Sequence, residues 1–441
     1  MDKICKRDGI NSVLDSILSE RLVVLCGAGL SMAAPSSIPS AAQLAEKAKA
    51  KYDATYGAER APLPESIEDQ AQFFFKKGEL ATVYLRTYID QDAFSAQPNS
   101  GHMSIADLML IQGIMTTVST NVDTLIETSG NMLLGHIGKG INRVGVQRLP
   151  QTKSPLLKVH GCWDEPEHTI WTSAQILVDP AKTRIEECGQ WLESRLADRD
   201  LLIVGYWSDW DYLNDVLTTA LGSVNPSRVI VVDPCDSAKF ENKAPALYDL
   251  GQRAREEFCH VPCSGDNFLE SLRVTFSKTF VRRALHLGKD EYERKYGAEP
   301  DATWLEPQTD DPHLLWQTRR DLEGCKPNQP AKRLNPEDEP LVGLTLLQLQ
   351  KQGAVFKNGY WCLDGRSIRV IRAPNRALHE VEADFAREVA PATTPDITIA
   401  VGAESYALPR NIAKATTTGS VARGSGGRWF SRTDALEELT K

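Results

Sequence analysis

The sequence predicts an α/β protein whose main domain is a doubly wound parallel sheet with helices on both faces, followed by a small C-terminal α+β domain. Short, continuous apolar runs recur in the N-terminal part, and each ends in a polar or glycine-containing turn, as buried parallel strands do. Stretches with helical periodicity alternate with these runs, which is typical of doubly wound sheets. The predicted strands cover residues 22–25, 114–119, 201–204 and 228–232, and the predicted helices cover residues 42–52, 69–88 and 102–111.

A polar stretch precedes the predicted C-terminal domain. Residues 288–340 are rich in Pro, Asp, Glu, Lys and Arg, which is typical of a linker. Beyond it, residues 341–352 are predicted to be helical, and Asn358-Gly359 and Asp364-Gly365 lie between β-prone runs, which predicts hairpins. Residues 396–401 are predicted to form a further strand. The expected boundaries are residues 1–287 for the main domain, 288–340 for the linker and 341–441 for the C-terminal domain.

Composition sets the broad class. A chain of 441 residues with 41% hydrophobic and 25% charged residues is globular and long enough for two cores. A formal net charge of −9 argues against a general affinity for nucleic acid or for anionic membranes. The first residues do not form a signal pattern, and no run approaches the roughly 20 apolar residues of a membrane span. We therefore expect a cytoplasmic protein with no membrane contact and no direct nucleic-acid binding.

The nine cysteines are scattered, without the regular spacing of a disulfide scaffold. In a reducing compartment most of them are expected to be buried thiols. Cys259 and Cys263 form the only close pair, and a structural zinc site usually needs four ligands. No metal is predicted.

Four turns that follow predicted strands contain residues suited to chemistry. The turn at residues 27–31, Gly-Ala-Gly-Leu-Ser, lets backbone N–H groups approach a diphosphate, although a simple tight turn has the same pattern. Residues 120–123, Thr-Asn-Val-Asp, contain an amide and a carboxylate, which more often serve as turn formers. A lone histidine such as His160 is usually structural, and residues 205–208, Gly-Tyr-Trp-Ser, suit an ordinary strand-to-helix turn.

Taken together and in order, these motifs resemble those of the sirtuin superfamily. Its members show Gly-Ala-Gly-x-Ser, Pro-Asn-x-x-His, Thr-x-Asn-x-Asp, a His-Gly, a Gly-x-Ser-type turn and a final strand. The resemblance covers roughly residues 10–275 and implies a Rossmann-like, sirtuin-type fold that binds NAD. The matching segments are Gly27-Ala28-Gly29-Leu30-Ser31, Pro98-Asn99-Ser100-Gly101-His102, Thr120-Asn121-Val122-Asp123, His160-Gly161, Gly205-Tyr206-Trp207-Ser208 and residues 229–233.

The resemblance also implies a role for each matching residue. Asn121 and Asp123 are expected at the nicotinamide ribose, and His160 is expected to be the catalytic base. His102 is expected to be structural, packing its helix beneath the site. Residues on the diphosphate and adenosine side are Gly27, Ala28, Gly29, Ser31, Thr120, Gly205, Ser208 and Asp233.

Two departures from the deacylases of this family affect the expected activity. Deacylases usually carry Gly-Ile-Pro-Asp-Phe-Arg after the first loop, whereas residues 37–42 here keep only Ile-Pro. They also usually carry two Cys-x-x-Cys pairs that hold a structural zinc, whereas Cys162, Cys188 and Cys235 are scattered. The pattern resembles the prokaryotic defence-associated branch, without a zinc module, whose members degrade NAD when a phage is sensed.

The implied function is therefore an NAD hydrolase that cleaves the nicotinamide–ribose bond, with NAD as substrate. The Asp123 carboxylate would favour developing positive charge on the ribose, Asn121 would orient a hydroxyl or water, and His160, with an unperturbed pKa of about 6.5, would accept a proton. Two alternatives stay open: an NAD-dependent protein deacylase, and a non-catalytic sensor of NAD or ADP-ribose. Whether the ADP-ribose product is linear or cyclic also stays open.

An active NAD hydrolase would drain its own cell, so it needs a gate. The C-terminal domain is the expected regulatory or assembly domain. A homo-oligomer is expected because Rossmann-type enzymes commonly assemble. A helicase-like partner ATPase or an Argonaute-like protein is the expected kind of partner.

Overall fold

The computed structural model describes residues 1–57, 61–150, 154–206, 211–222, 224–332, 339–389, 394–404 and 428–439. The chain divides into two compact units, Met1–Leu272 and Arg273–Lys441. The first holds a parallel sheet with flanking helices and the second holds a smaller mixed sheet. The predicted fold class, an α/β unit followed by a small α+β unit, is confirmed.

The sheet of the first unit has eight strands in the order β1-β8-β7-β6-β2-β3-β5-β4, and every neighbouring pair is parallel. The central strands are buried on both faces, which explains why their sequences are continuous apolar runs rather than alternating ones. The strands are β1 (Asp2–Lys3), β2 (Leu22–Cys26), β3 (Thr116–Ser119), β4 (Lys139–Gly140), β5 (Leu156–Lys158), β6 (Asp200–Val204), β7 (Arg228–Val232) and β8 (Glu257–Val261).

Helices connect these strands, as parallel pairing requires. One predicted helix, over residues 69–88, is in fact two, because Gly78 adopts a left-handed φ of 71° that ends the first of them. The second is a π-helix at Leu80–Tyr88. The α-helices of this unit are α1 (Lys6–Leu18), α2 (Gly29–Met32), α3 (Ala41–Tyr56), α4 (Ile67–Phe75), α5 (Ser100–Leu110), α6 (Leu125–Met132), α7 (Arg143–Gln147), α8 (Ser173–Ile176), α9 (Ala181–Leu196), α10 (Asp211–Leu221), α11 (Phe240–Lys243) and α12 (Pro245–Gln252).

The second unit contains a five-stranded sheet in the order β13-β12-β11-β10-β9. The two predicted hairpins are confirmed. Asn358, Gly359, Asp364 and Gly365 all have positive φ, as two-residue hairpin turns require. The strands are β9 (Val355–Lys357), β10 (Tyr360–Leu363), β11 (Arg366–Ala377), β12 (Ile397–Glu404) and β13 (Arg428–Ser431), and the helices are α13 (Gly265–Tyr296, which starts in the first unit), α14 (Pro312–Leu322), α15 (Glu339–Lys351), α16 (Leu378–Phe385) and α17 (Arg432–Leu439).

Residues 288–340, which the polar composition suggested as a linker, carry regular structure. The end of α13, a one-turn 3₁₀ helix at Ala302–Leu305 and helix α14 all fall within this range. Leu305 and Leu322 belong to the hydrophobic core of the second unit, and Trp316 is only 2% exposed. A few well-spaced apolar side chains therefore suffice to pack a mainly polar stretch. No helix within the described ranges has the length and apolar composition needed to cross a membrane.

Candidate active site

The candidate site lies at the carboxyl edge of the parallel sheet. The strand order places β2 between β6 and β3. After β2 the chain first forms β3 to β5 on one side of it and then β6 to β8 on the other side. Crevices that bind ligands in open α/β sheets form at such reversals, outside the carboxyl ends of the strands. The polar turns that follow β2, β3 and β5 therefore converge here.

These turns surround a cavity of about 410 Å³, within the usual range for small-molecule sites. One wall is polar and comes from the strand ends, and the other is mainly apolar and comes from residues between β2 and β3. The lining residues are Ala28, Gly29, Ser31, Met32, Ile38, Pro39, Ser40, Ala41, Ala42, Leu44, Ile67, Phe94, Thr120, Asn121, Val122, Asp123, His160, Trp171 and Tyr206.

The glycine-containing turn after β2 packs directly on the turn after β6. A Cβ on Gly205 would lie 2.4 Å from the Leu30 nitrogen, and a Cβ on Gly29 would lie 2.8 Å from the Gly205 oxygen. Gly205 also has a φ of 62°, which side chains rarely adopt. The glycines are thus required because two backbone turns touch.

Most N–H groups of this first turn already have partners inside the protein. The N–H of Gly29 donates to the Gly205 carbonyl at 2.8 Å, and those of Gly27, Leu30 and Ser31 also donate to backbone carbonyls. The N–H of Ala28, which lines the cavity, has no hydrogen-bond partner in the described part of the chain. Ala28 is therefore the residue of this turn whose backbone could donate to a ligand.

Asn121 is held with a defined amide orientation. Its Nδ2 lies 3.2 Å from the Gly27 carbonyl oxygen and 3.0 Å from the Ser31 hydroxyl. A carbonyl accepts and cannot donate, so the amide nitrogen must face it. The opposite atom, Oδ1, is buried and has no partner among the described residues, although Asn121 lines the cavity. A buried acceptor left unpaired is costly, which makes this oxygen a candidate ligand contact.

Asp123 is held beside Asn121 by hydrogen bonds. Its Oδ2 accepts from the Ser31 hydroxyl at 2.8 Å, and its Oδ1 accepts from the Leu125 N–H at 3.1 Å. Its backbone carbonyl accepts from Lys158 Nζ, which lies 3.2 Å from Glu127 Oε1. Burial lowers the pKa of Lys158, but the nearby Glu127, Cys162 and Asp123 together outweigh this effect and raise the pKa overall. The buried ammonium group of Lys158 therefore helps to hold in place the loop that carries the Asp123 carboxylate.

His160 lines the same cavity. Its Nδ1 donates to the Thr120 carbonyl at 3.0 Å. Burial lowers the pKa of His160 to about 4, although backbone hydrogen bonds to Thr120 and Ile170 oppose the shift. The expectation of an unperturbed value near 6.5 is therefore not met, since the expectation took no account of burial. Near neutral pH the ring is uncharged.

The cavity gathers most of the residues expected at the site, but not all. Ala28, Gly29, Ser31, Thr120, Asn121, Asp123 and His160 line it. Gly27 and Gly205 support it from behind, through the turn contacts described above. Asp233 is not among the lining residues, and its Oδ1 accepts from the Cys235 N–H at 2.8 Å. Ser208 lies outside the described residues.

The structure also adds side chains that were not expected to line or contact the site. Phe94, Trp171 and Tyr206 contribute aromatic surface to the cavity, and His102 reaches within 3.1 Å of the Ser31 hydroxyl. The only sequence signal for Tyr206 was its place directly after Gly205. Phe94 and Trp171 belong to no motif and meet the site only through folding.

The described ranges contain no group of three or more His, Cys, Asp and Glu side chains that could hold a metal ion. Cys259 is buried in β8, and Cys263 lies in the turn beyond it. Cys162 is buried and lies 2.9 Å from Lys139 Nζ.

A family model and two solved structures are similar to this chain. Residues 116–253 match the model of the SIR2-like domain family. The chain is similar to a crystal structure of a Sir2 homolog–NAD complex, with 15% identity over 62% of this chain and 96% of that chain and a TM-score of 0.35. It is also similar to a Sir2–p53 peptide–NAD⁺ structure, with 15% identity over 60% and 96% of the two chains and a TM-score of 0.34. No curated protein matches significantly. The segment that carries Asn121, Asp123 and His160 is thus similar to a SIR2-like domain.

Proposed function

We propose that this cavity binds NAD and hydrolyses the bond between nicotinamide and ribose, releasing nicotinamide and ADP-ribose. The observation that carries the proposal is the buried, unpaired Oδ1 of Asn121, a residue that lines the cavity together with Asp123. The match of residues 116–253 to the SIR2-like family supports NAD as the ligand, as do the motifs that resemble sirtuins.

The groups around the cavity fit NAD. Asn121 Oδ1 is an acceptor for a ribose hydroxyl or for a water molecule. The unused N–H of Ala28 suits an anionic diphosphate oxygen. Phe94 and Trp171, which also line the cavity, suit a flat aromatic ring. The diphosphate, the nicotinamide ribose and one aromatic ring of the dinucleotide thus each have a matching group.

The chemistry needs charge stabilisation more than proton transfer. Nicotinamide is cationic while bound to the ribose and leaves as a neutral molecule, so its departure needs no acid. Asp123, buried and held by Ser31 and Leu125, stabilises the positive charge that develops on the ribose. It does so without reorienting, because both of its oxygens are already fixed. Removing bulk water from the cavity strengthens this interaction.

His160 and Asn121 then serve the incoming water. Asn121 Oδ1 accepts a hydrogen bond from the water and orients its lone pair. The neutral ring of His160, whose Nδ1 donates to the Thr120 carbonyl, takes the proton as the new bond to oxygen forms. Burial lowers the pKa of His160 to about 4, so the ring is uncharged near pH 7 and can accept a proton.

Nicotinamide release from NAD by the purified chain tests this proposal. We expect turnover that needs no peptide, and we expect Asn121→Ala to lower kcat by at least roughly a hundredfold. Asn131→Ala is the matched control because Asn131 is exposed on α6. The proposal fails if Asn121→Ala and Asn131→Ala turn over NAD at equal rates.

A deacylase and a nucleotide sensor remain the competing functions, and the same assay separates them. Nicotinamide release that requires an acetyl-lysine peptide would identify a deacylase. Binding of NAD or ADP-ribose without release of nicotinamide would identify a sensor. We favour hydrolysis because the sequence lacks the paired Cys-x-x-Cys motifs and the Asp-Phe-Arg segment of the deacylases.

In the cell, we propose that the activity depletes NAD during antiphage defence. Such an enzyme must stay off until a signal arrives, and the second unit, Arg273–Lys441, is the candidate regulatory or assembly unit. Homo-oligomerisation and a helicase-like ATPase or Argonaute-like partner are part of the same proposal. Expressing the chain with and without Asn121→Ala in phage-challenged cells, and measuring cellular NAD, tests it. Unchanged NAD after infection would contradict it.

A further inference from the structure

One motif has no role in the mechanism above, namely residues 98–102, Pro-Asn-Ser-Gly-His. Asn99 begins helix α5, and its side chain accepts from the N–H groups of Gly101 and His102. This cap brings the His102 ring against the turn after β2, where its Nε2 lies 3.1 Å from the Ser31 hydroxyl oxygen. His102 is fully buried.

The position of the proton on His102 follows from its second contact. The backbone N–H of Asn99 points at His102 Nδ1, at 3.3 Å. A backbone N–H only donates, so Nδ1 must be the acceptor, and a neutral ring then carries its proton on Nε2. Burial lowers the pKa of His102 to about 4, although the Asp123 charge opposes the shift, so the ring is neutral near pH 7. His102 therefore donates from Nε2.

The Ser31 hydroxyl has one proton and two lone pairs, and each has a use. The proton goes to Asp123 Oδ2, at 2.8 Å. The oxygen must then accept from both of its other neighbours, His102 Nε2–H at 3.1 Å and Asn121 Nδ2–H at 3.0 Å. The assignment is self-consistent, and each of the four residues can take only one role in it.

We propose that His102 is a positioning residue of the hydrolase site, acting through Ser31 on Asn121 and Asp123. Its Nε2–H keeps the Ser31 proton directed at Asp123. Ser31 then offers its remaining lone pair to the Asn121 amide nitrogen, which leaves Oδ1 as the unpaired end of the Asn121 amide. If His102 carried its proton on Nδ1, Nε2 would compete with Asp123 for the Ser31 proton. The proposal rests on the proposed NAD hydrolysis.

Two substitutions at His102 separate positioning from packing. Gln places an N–H donor near the position of Nε2, whereas Met has a similar size and no donor. We expect His102→Gln to keep kcat within about threefold of the wild type and His102→Met to lose at least roughly tenfold. The KM for NAD should change by less than about threefold in both, because the lost contact orients the water site rather than holding the dinucleotide.

His136→Met is the matched control because His136 is exposed. Thermal unfolding of each variant shows whether it is folded. Equal kcat for His102→Met and the wild type would overturn the proposal. So would an equal loss of kcat in the Gln and Met variants while both stay folded, since packing alone predicts that result.

The tautomer gives a second test that does not depend on activity. In protein with ¹⁵N-labelled histidine, the ring nitrogen shifts distinguish Nε2–H, Nδ1–H and doubly protonated rings, and the His102 signals are those missing from His102→Gln. We expect the Nε2–H form near pH 7. An Nδ1–H or cationic ring would overturn the positioning role. A wild-type chain that leaves NAD intact would instead overturn the proposed hydrolysis. The measured tautomer of His102 would still test the hydrogen-bond assignment.

Discussion

At the scale of single residues, the site depends on polar atoms that have only one way to pair. The Gly27 carbonyl cannot donate, and the Ser31 hydroxyl donates its proton to Asp123. Both oxygens therefore need a donor, which is the amide nitrogen of Asn121. The orientation of Asn121 is thus decided by its neighbours before any ligand binds. Such preorganisation lowers the reorganisation needed during the reaction.

A substitution that reverses one donor tests this arrangement. Asn121→Asp replaces the amide nitrogen with an oxygen that faces the Gly27 carbonyl, so we expect a loss of roughly 2 kcal/mol in unfolding free energy. Asn121→Ala removes the group without creating this repulsion and should cost less. Urea unfolding measures both values, with Asn131→Asp as the exposed control. Equal stability of Asn121→Asp and the wild type would show that the amide is not held as described.

The buried state of His160 predicts the pH dependence of the reaction. Its pKa is lowered to about 4, so the ring should stay neutral and able to accept a proton well below the ordinary histidine value of about 6.5. We expect kcat/KM to be flat from about pH 8 to about pH 6 and to fall only in more acidic solution, as the ring gains a proton. Initial rates of nicotinamide release across this range check it. A midpoint near the ordinary histidine pKa would contradict the shift.

At the scale of elements, the site exists because two turns touch. The turn after β2 and the turn after β6 approach so closely that a Cβ on Gly205 would lie 2.4 Å from the Leu30 nitrogen. This contact sets the position of Ala28 and Ser31 relative to Tyr206. The apolar wall comes instead from the long connection between β2 and β3, which carries Ile38 and Phe94.

Substituting a glycine of this contact tests its importance. Gly205→Ala should lower the unfolding free energy by about 3 kcal/mol, because it adds a steric overlap to the strain of a positive φ. Gly78→Ala is the matched control, since Gly78 has a φ of 71° and nothing within 4 Å of the added Cβ. It should lose only about 1 kcal/mol. Equal losses in the two variants would mean that the turns do not meet.

At the scale of the whole molecule, the site belongs to the first unit alone. All of its lining residues fall between Ala28 and Tyr206, within the unit Met1–Leu272. The second unit has its own hydrophobic core and a buried ion pair in which Arg369 contacts Asp321 and Glu388, each at 2.6 Å. It is thus built as a separate compact unit.

Two buried neutral histidines connect the site to the stability of the fold. Burial lowers the pKa of His102 and of His160 to about 4, so unfolding releases rings that bind protons more tightly. A lowered histidine pKa means that stability is complete above the unfolded value of about 6.5 and falls as the pH drops below it. Each ring should cost about 1 kcal/mol between pH 7.5 and pH 5.5.

Urea unfolding at several pH values checks this prediction. His102→Gln and His160→Gln should each reduce the pH dependence of the unfolding free energy, whereas the exposed control His136→Gln should leave it unchanged. The same slope in all four proteins would contradict the buried, neutral state of the two rings.

The sequence alone determined the fold class, the hairpins and most of the polar residues of the site. Apolar runs and turn pairs such as Asn358-Gly359 act locally, so they can be recognised without a structure. Polar residues directly after strands were also predictable, because parallel strands bring their carboxyl ends to one edge. The resemblance to sirtuins grouped Asn121, Asp123 and His160, and all three line one cavity in the structure.

Only the tertiary structure decided how these groups pair and what surrounds them. The lowered pKa of His160 depends on burial, which no short motif encodes. Phe94 and Trp171 reach the cavity through contacts between segments distant in sequence, and His102 meets Ser31 for the same reason. The regular structure within residues 288–340 likewise rests on a few apolar side chains whose partners lie elsewhere in the second unit. Hydrogen-bond direction and burial are properties of three-dimensional neighbours, so the sequence pattern could not supply them.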